Sequence, residues 1–249
     1  MYISIVNLTK GGLKDDAVQT AIRAINRQIA EDFEPYWSFG ARLRLEGPIG
    51  PAPRKQTLGE MRGDALIYIW DRIDAEGALG YHDRNNRGIP FSIVSLNESE
   101  KAGDSWCTTL SHEALELLGD PEGNLLVKGP HPQDRRRAVF HWFEMCDAVQ
   151  GETYPVDGIL VVNFVLPSYF TRDNEEGSRN DFLGRLYNGS ALSSFGVNPG
   201  GYIGFFDPRL GHDTQYWHPD DAIAEAAAAR KRTAKLGRGW RRMHSGAAP

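Results

Sequence analysis

Stretches of alternating or continuous hydrophobic positions in the first half of the chain predict four β-strands. Residues 2–7 and 41–46 alternate apolar and polar side chains, as strands with one buried face do. Residues 64–70 are more continuously apolar, which is typical of a more buried strand, and residues 90–96 form the fourth. The polar, glycine-bearing stretch between the last two strands, which includes residues 81–84, is predicted to be a connection.

Hydrophobic positions at helical spacing predict two helices among these strands. The first begins at Asp15 and is expected to end at Pro35, since proline cannot continue a helix. Its apolar face consists of Val18, Ile22, Ile25, Ile29 and Phe33. The second helix follows an N-cap at Asp104 or Ser105 and ends at Gly119.

After residue 121 the elements become shorter, and glycine, proline and asparagine recur. Residues 138–149 form a short helix or an extended segment, and residues 157–165 are a strongly apolar strand candidate. Residues 200–206 predict a turn followed by a strand. Residues 220–235 have the alanine-rich composition of a helix.

The composition is that of a globular protein, with 249 residues of which 41% are hydrophobic and 24% are charged. No apolar run approaches the ~20 residues that cross a bilayer, and the first residues lack the basic segment of a signal peptide. We therefore expect a cytoplasmic protein with no membrane contact. Cys107 and Cys146 are the 2 cysteines, and without a C-x-x-C pair they exclude a disulfide scaffold.

A basic segment lies near the end of the sequence. Between residues 230 and 242 there are seven lysines or arginines and no acidic residue, although the formal net charge of the chain is -5. This segment has the charge to contact nucleic acid or an acidic partner. A solvated, partly helical extension is the simpler interpretation.

The stretch Ser111-His112-Glu113-Ala114-Leu115-Glu116 carries the strongest chemical signal in the chain. Positions i and i+4 of a helix lie on one face about 6 Å apart, so His112 and Glu116 can bind one metal ion with Glu113 beside them. Zinc hydrolases use such a helix, in which the middle glutamate handles the proton of a metal-bound water. Their usual pattern is H-E-x-x-H, and here a glutamate replaces the second histidine.

The alternative is an ordinary surface pair of His112 and Glu116, with Glu113 solvated. The flanking residues favour the metal site, because they make the helix apolar over most of its circumference. These residues are Leu110, Ala114, Leu115, Leu117 and Leu118. A buried helix that carries a histidine and two glutamates must neutralise them, and a metal ion does so.

A catalytic zinc ion usually has three protein ligands, and the third must come from farther along the chain. Glu144 is the first choice, and Asp147 shares its face if that segment is helical. Asp147 would then hydrogen-bond the free ring nitrogen of His112. The other candidates for the third ligand stay open, and they are Asp120, His141, His82, Cys107 and Cys146.

These motifs resemble the zincin-type metallopeptidases encoded in bacterial and phage genomes, in a gluzincin-like H-E-x-x-E variant. The resemblance rests on residues 111–113 through 120–121, on 144–147, on the strand 162–170 with its Pro167, and on 200–202. It also touches residues 25–37 and 80–96, and so it covers most of the chain.

The resemblance implies an α+β, zincin-like fold, with a twisted mixed sheet, a metal-binding active-site helix and a smaller irregular C-terminal subdomain. Residues 1–121 would form the N-terminal subdomain that ends in the active-site helix. Residues 122–224 would supply the third ligand, and residues 225–249 would be the basic tail. Strand 91–96 would be the sheet edge, where zincin peptidases can hold an extended peptide by strand addition.

The resemblance also implies that His112, Glu116 and Glu144 bind Zn²⁺ or another divalent metal, and that Glu113 is the general base. Two carboxylate ligands leave the ion less positive than the usual set of two histidines and one glutamate. Glu113 must then do more of the proton transfer, or another metal is used. The candidates for stabilising an oxyanion are Tyr154, Tyr169 and Tyr202.

The function expected from these residues is that of a metal-dependent hydrolase, a peptidase with a peptide or protein substrate. The alternative is a catalytically inactive zincin-like module that binds a partner or belongs to a phage structure. The missing second histidine and the basic segment favour this alternative. A carboxylate-rich di-metal helical bundle, suggested by H-x-x-E at residues 141–144, is disfavoured by the many predicted strands.

Overall fold

The computed structural model describes residues 1–46, 63–71, 80–85, 88–172 and 178–219. Three predictions lie outside these ranges: a loop at 47–53, which the glycine- and proline-rich sequence there predicts, the alanine-rich helix at 220–235 and the basic tail at 225–249. Within the ranges, no helix combines the length and the apolar character that crossing a bilayer requires. The cytoplasmic location stays a prediction.

The first half of the chain forms a mixed, five-stranded sheet. Its strands are β1 (Tyr2–Asn7), β2 (Arg42–Leu45), β3 (Ala65–Trp70), β4 (Gly80–Arg84) and β5 (Pro90–Ser95). Their order is β2-β1-β3-β5-β4, and β4 is antiparallel to β5 while the other pairs are parallel. The four strands predicted from the hydrophobic pattern are therefore confirmed.

Strand β4 corrects two predictions. The sequence predicts a connection at residues 81–84, whereas these residues pair with β5 in a continuous antiparallel ladder. The sequence also predicts strand 91–96 as the sheet edge, but β5 is an inner strand because β4 covers it. Among the described strands, β4 forms that edge of the sheet.

The first helix is longer than predicted and changes its geometry along its length. Helix α1 (Asp15–Arg27) continues into a π-helical turn (Gln28–Phe33) and then into α2 (Glu34–Trp37). The predicted end at Pro35 is wrong, because this proline lies in the first turn of α2, where its missing N–H is tolerated. The helix ends at Ser38, which adopts the left-handed conformation with φ 60°.

The π-helical turn directs Gln28 into the interior, where it is fully buried. Its Nε2 donates to the Val162 carbonyl oxygen at 2.8 Å, and its Oε1 accepts from Ser111 Oγ at 2.8 Å. Ser111 Oγ also accepts from the Val162 N–H at 3.2 Å. This wide turn therefore holds the residue that precedes His112.

Two further helices follow β5. Helix α3 (Leu96–Lys101) is short and was not evident from the hydrophobic pattern. Helix α4 (Trp106–Gly119) begins at Ser105, whose side chain accepts a hydrogen bond from the Cys107 N–H at 3.2 Å. Both the N-cap at Ser105 and the end at Gly119 are confirmed.

The described residues of the second half of the chain contain six more strands. They are β6 (Leu126–His131), β7 (Asp134–Trp142), β8 (Thr153–Val156), β9 (Ile159–Val162), β10 (Tyr202–Asp207) and β11 (His212–Trp217). Four of them form an antiparallel sheet in the order β11-β10-β7-β6, and β8 pairs with β9 in a hairpin. The strand predicted after the turn at 200–201 is β10 and is confirmed.

The structure resolves the two interpretations of residues 138–149. The segment has no α-helix: β7 runs to Trp142, and Asp147–Val149 form a single 3₁₀ turn. The predicted strand at 157–165 is also shorter, because Asp157 and Gly158 form the hairpin turn with φ 49° and 79°.

One hydrophobic core includes residues from both halves of the chain. Ile5 of β1, Leu110 of α4, Met145 and Phe164 all belong to it. Packing is therefore continuous across the predicted boundary at residue 121, and the subdomain division stays a prediction. The described residues confirm the α+β class.

Candidate metal centre

Helix α4 carries three ionisable side chains, His112, Glu113 and Glu116, that are buried or partly buried. His112 Nε2 lies 3.1 Å from Glu116 Oε1, so the pair predicted one turn apart is formed. Glu113 and Glu116 are each only 4% exposed, and His112 is partly buried. The alternative of a surface pair with a solvated Glu113 is therefore wrong.

Strands β5 and β4 complete the surroundings of Glu113. Ser92 of β5 donates its hydroxyl proton to Glu113 Oε2 at 2.8 Å. Directly opposite Ser92 in the ladder is His82 of β4, and paired residues share a face of the sheet. His82 Nδ1 lies 4.0 Å from Glu113 Oε2 and 3.7 Å from Glu116 Oε2. His82 thus lies on a strand that faces α4.

Gly80 permits the close approach of β4 to α4. It lies two residues before His82 and therefore on the same face of β4. A Cβ atom at position 80 would lie 2.8 Å from both Cγ and Cδ of Glu113. Carbon atoms pack at about 3.5–4.0 Å, so a side chain here would displace Glu113.

We expect Gly80→Ala to lower the free energy of unfolding by about 1–3 kcal/mol and to weaken divalent-metal binding, because the new methyl group overpacks against Glu113. Urea unfolding and a Zn²⁺ titration measure the two effects. Gly12→Ala is the matched control, since its Cβ would meet no neighbour closer than 3.4 Å. Equal behaviour of the two variants would contradict the role of Gly80.

The segment after β7 adds two more carboxylates. Asp147 Oδ1 lies 3.3 Å from His112 Nε2, and Glu144 Oε2 lies 3.9 Å from His82 Nε2. The contact predicted between Asp147 and His112 is thus present, but it uses the ring nitrogen that also faces Glu116 and not the opposite one. Glu144 and Asp147 do not share a helical face, because the chain between them is not α-helical.

The cluster shifts the proton affinities of its members. Burial would lower the pKa of His112, but the charge of Glu116 and contacts with Asp147 raise it well above its usual value. Burial and the charge of Glu116 raise the pKa of Asp147, against hydrogen bonds with His112 and Tyr202. Burial, followed by the nearby carboxylates, raises the pKa of the Cys146 thiol. These shifts strengthen proton binding by His112, Asp147 and Cys146, and protons compete with a metal ion for the same side chains.

Two groups of potential metal donors share Glu116. One group is His112, Glu116 and Cys146, the other is His82, Glu113 and Glu116, and the ligand atoms of each group lie within 4.8 Å of one another. Cys146 is the weaker metal ligand, because its raised pKa keeps the thiol protonated. The thiol donates a hydrogen bond to the backbone oxygen of His112, with sulfur and oxygen 3.9 Å apart. Glu144, the predicted third ligand, belongs to neither group.

The three candidate tyrosines occupy different surroundings. Tyr202 hydrogen-bonds Asp147 and so contacts the cluster. The Tyr154 hydroxyl donates to Asp32 Oδ2 at 2.8 Å, and the Tyr169 hydroxyl donates to the Gly196 carbonyl oxygen at 2.8 Å. Of the three tyrosines, Tyr202 is therefore the one with a described hydrogen bond to Asp147, which in turn contacts His112.

Two other candidate ligands have structural roles. Asp120 ends α4 and accepts two backbone N–H groups of the following turn, at 3.1 and 2.9 Å. His141 lies on β7 with its ring 4.6 Å from that of Phe195, and its Nε2 hydrogen-bonds the Pro130 carbonyl oxygen. The expectation that H-x-x-E at 141–144 places two ligands on one helical face is therefore wrong.

Sequence reasoning did not single out Ser92 or Gly80, and it placed His82 in a loop. A signal exists in each case. Ser92 is a polar residue inside an otherwise apolar strand, and Gly80 and His82 have the two-residue spacing of one strand face.

The arrangement brings together two imidazoles and four carboxylates from β4, α4 and the segment that follows β7. Such donors bind divalent cations and transfer protons. Comparisons of the chain with protein-family models, with curated proteins and with solved structures found no match.

Proposed function

We propose that this chain is a divalent-metal-dependent hydrolase of zincin-like design, a peptidase that acts on peptides or proteins. One observation carries the proposal. A single helix holds His112, Glu113 and Glu116 in a protected cluster, and that cluster faces a strand at the edge of the described sheet.

The donor atoms fit a divalent cation such as Zn²⁺. Zinc accepts imidazole nitrogen and carboxylate oxygen, and bonds of about 2.0–2.1 Å in a tetrahedral site place neighbouring ligand atoms about 3.4 Å apart. His112 Nε2 and Glu116 Oε1 are 3.1 Å apart. Buried carboxylates require a proton, an ion pair or a metal, and a divalent cation bound between Glu116 and His112 would meet this requirement.

The proposed roles follow from the contacts. A bound metal would supply a Lewis acid and an acidic water molecule. His112 and Glu116 would hold the metal, with Glu144 as the third ligand that the sequence predicts. Glu113, oriented by the Ser92 hydroxyl, takes the proton of the attacking water and passes it to the leaving amine.

Strand β4 is the proposed position for the substrate. An extended peptide can add to a sheet edge through main-chain hydrogen bonds, with its side chains alternating between pockets. The sequence assigned this role to strand 91–96, and the strand order transfers it to β4. A peptide there would lie beside Glu113, because Gly80 of β4 lies against that side chain.

Metal analysis of the purified wild type and of Glu116→Ala tests the proposal. We expect one divalent ion per wild-type chain and cleavage of members of a peptide library. Glu116→Ala should lose both, while Glu100→Ala, on the exposed surface of α3, should keep both. Circular dichroism checks that the variants are folded. A metal-free wild type that cleaves no peptide would refute the proposed function.

A further inference from the structure

We infer that His82 of β4 is a ligand of the proposed metal ion and supplies the second imidazole that the H-E-x-x-E helix lacks. This inference rests on the proposed metal site at His112 and Glu116. It adds a ligand from the edge strand, which lies outside the helical motif, and it gives Glu144 a different role.

The first support is the position of the His82 ring. The residue is 7% exposed although it lies on a polar edge strand. Its Nδ1 lies 3.7 Å from Glu116 Oε2, and its Nε2 lies 3.9 Å from Glu144 Oε2. Hydrogen bonds to nitrogen span about 2.7–3.2 Å, so the separation of Nδ1 from Glu116 is longer than a hydrogen bond and approaches the spacing of two ligand atoms around one cation.

The second support is the orientation of Glu116. Its Oε1 lies 3.1 Å from His112 Nε2, while its Oε2 lies 3.7 Å from His82 Nδ1. A carboxylate between two imidazoles, with one oxygen toward each, is placed to chelate an ion that both imidazoles also bind. Because the two histidines belong to separate donor groups, ion binding should draw β4 toward α4.

The third support is chemical. Two histidines and one glutamate form a ligand set that catalytic zinc ions use, and it leaves the ion more positive than one histidine and two glutamates do. A more positive ion makes its water more acidic, which lightens the task of Glu113. With His82 as a ligand, the missing histidine of the helix no longer weakens the site.

Glu144 then becomes a positioning residue. Its Oε2 faces His82 Nε2, the ring nitrogen opposite the one that faces Glu116. This separation is 3.9 Å, so the carboxylate must move closer to hydrogen-bond that nitrogen, and it would then hold the ring in one tautomer with the other nitrogen toward the metal. Glu144 would act through His82 and not on the ion.

Zn²⁺ competition with a chromophoric chelator, together with Co²⁺ absorption spectra of the full chain, tests this assignment. We expect His82→Asn to lower Zn²⁺ affinity by more than about 100-fold and to change the Co²⁺ spectrum, since a nitrogen ligand is lost. Glu144→Gln should lower Zn²⁺ affinity by about 10- to 100-fold, as loss of a supporting carboxylate does, and leave the Co²⁺ spectrum unchanged. His212 is an exposed histidine on β11, and His212→Asn should change neither the Zn²⁺ affinity nor the Co²⁺ spectrum.

The outcomes separate this inference from the proposed function. If His112→Asn abolishes binding while His82→Asn binds like the wild type, His82 is only a charge partner; the inference fails and the hydrolase proposal stands. A larger loss of Zn²⁺ affinity in Glu144→Gln than in His82→Asn also overturns the inference. Binding of two ions per chain overturns it as well. A wild type that binds no metal refutes both.

Hydrogen exchange of the wild type gives a readout that needs no variant. Zn²⁺ should slow exchange of the β4 amides, residues 80–84, because the ion would join β4 to α4. Unchanged exchange in β4, with slowed exchange in α4, would overturn the inference even if His82→Asn does not fold.

Discussion

Replacing Glu113 with glutamine is expected to lower peptide hydrolysis by about 100- to 10,000-fold, the usual contribution of a general base, while the bound metal is retained. Glutamine has the same shape but cannot take a proton at neutral pH. It can still accept the hydrogen bond that Ser92 Oγ donates at 2.8 Å, so the local packing should survive. Steady-state hydrolysis and elemental analysis of the same preparation measure the two effects.

Glu100→Gln is the matched control for this experiment, because Glu100 is exposed on α3. It should change neither hydrolysis nor metal content. Hydrolysis by Glu113→Gln at the wild-type rate would contradict the base role. Loss of the metal in Glu113→Gln would instead make Glu113 a ligand.

Replacing Phe164 with alanine is expected to lower the free energy of unfolding by about 3–5 kcal/mol, as deletion of a buried aromatic ring does. Phe164 is fully buried, and its ring centroid lies 5.2 Å from that of Phe33 and 5.0 Å from that of Phe182. It thereby joins the end of the first helix to the second half of the chain. Urea unfolding followed by circular dichroism measures the loss.

Leu160→Ala is the control for this substitution, since Leu160 lies on the neighbouring β9 and is 47% exposed. It should cost less than about 1 kcal/mol, in keeping with a surface position. Two separate unfolding transitions in the wild type, only one of which shifts in Phe164→Ala, would contradict a core shared by both halves of the chain.

Helix α4 could be predicted because its determinants are local. Ser105 accepts the N-terminal hydrogen bond, Gly119 ends the helix, and the apolar residues between them fix its burial. The contact of His112 with Glu116 needs only helical geometry. This part of the candidate site therefore follows from one short stretch of sequence.

Strand β4 could not be predicted in the same way. The residues Gly80–Arg84 lack the apolar alternation by which strands are recognised, because the face toward α4 carries Gly80 and His82. What makes them a strand is their antiparallel pairing with β5, the next strand along the chain, which starts with Arg84 opposite Pro90. A strand whose face toward α4 carries a glycine and a histidine is therefore not recognised from the hydrophobic pattern alone.

The contacts of the downstream carboxylates were only partly predictable. Residue chemistry was enough to associate Asp147 with His112, but the ring nitrogen that it meets depends on the path of the backbone. That path was uncertain, because residues 138–149 allowed a helix, and pairing of β7 with β6 and β10 determines the extended form.

The π-helical turn at Gln28–Phe33 makes the position of Ser111 depend on the length of the first helix. Deleting one residue there would remove the wide turn and restore α-helical geometry. Because the wide turn directs Gln28 into the interior, we expect Gln28 then to lose its hydrogen bond to Ser111. Point substitutions on the exposed side of this helix should be tolerated, whereas a single-codon deletion would disturb Ser111, the neighbour of His112, from 83 positions away along the chain.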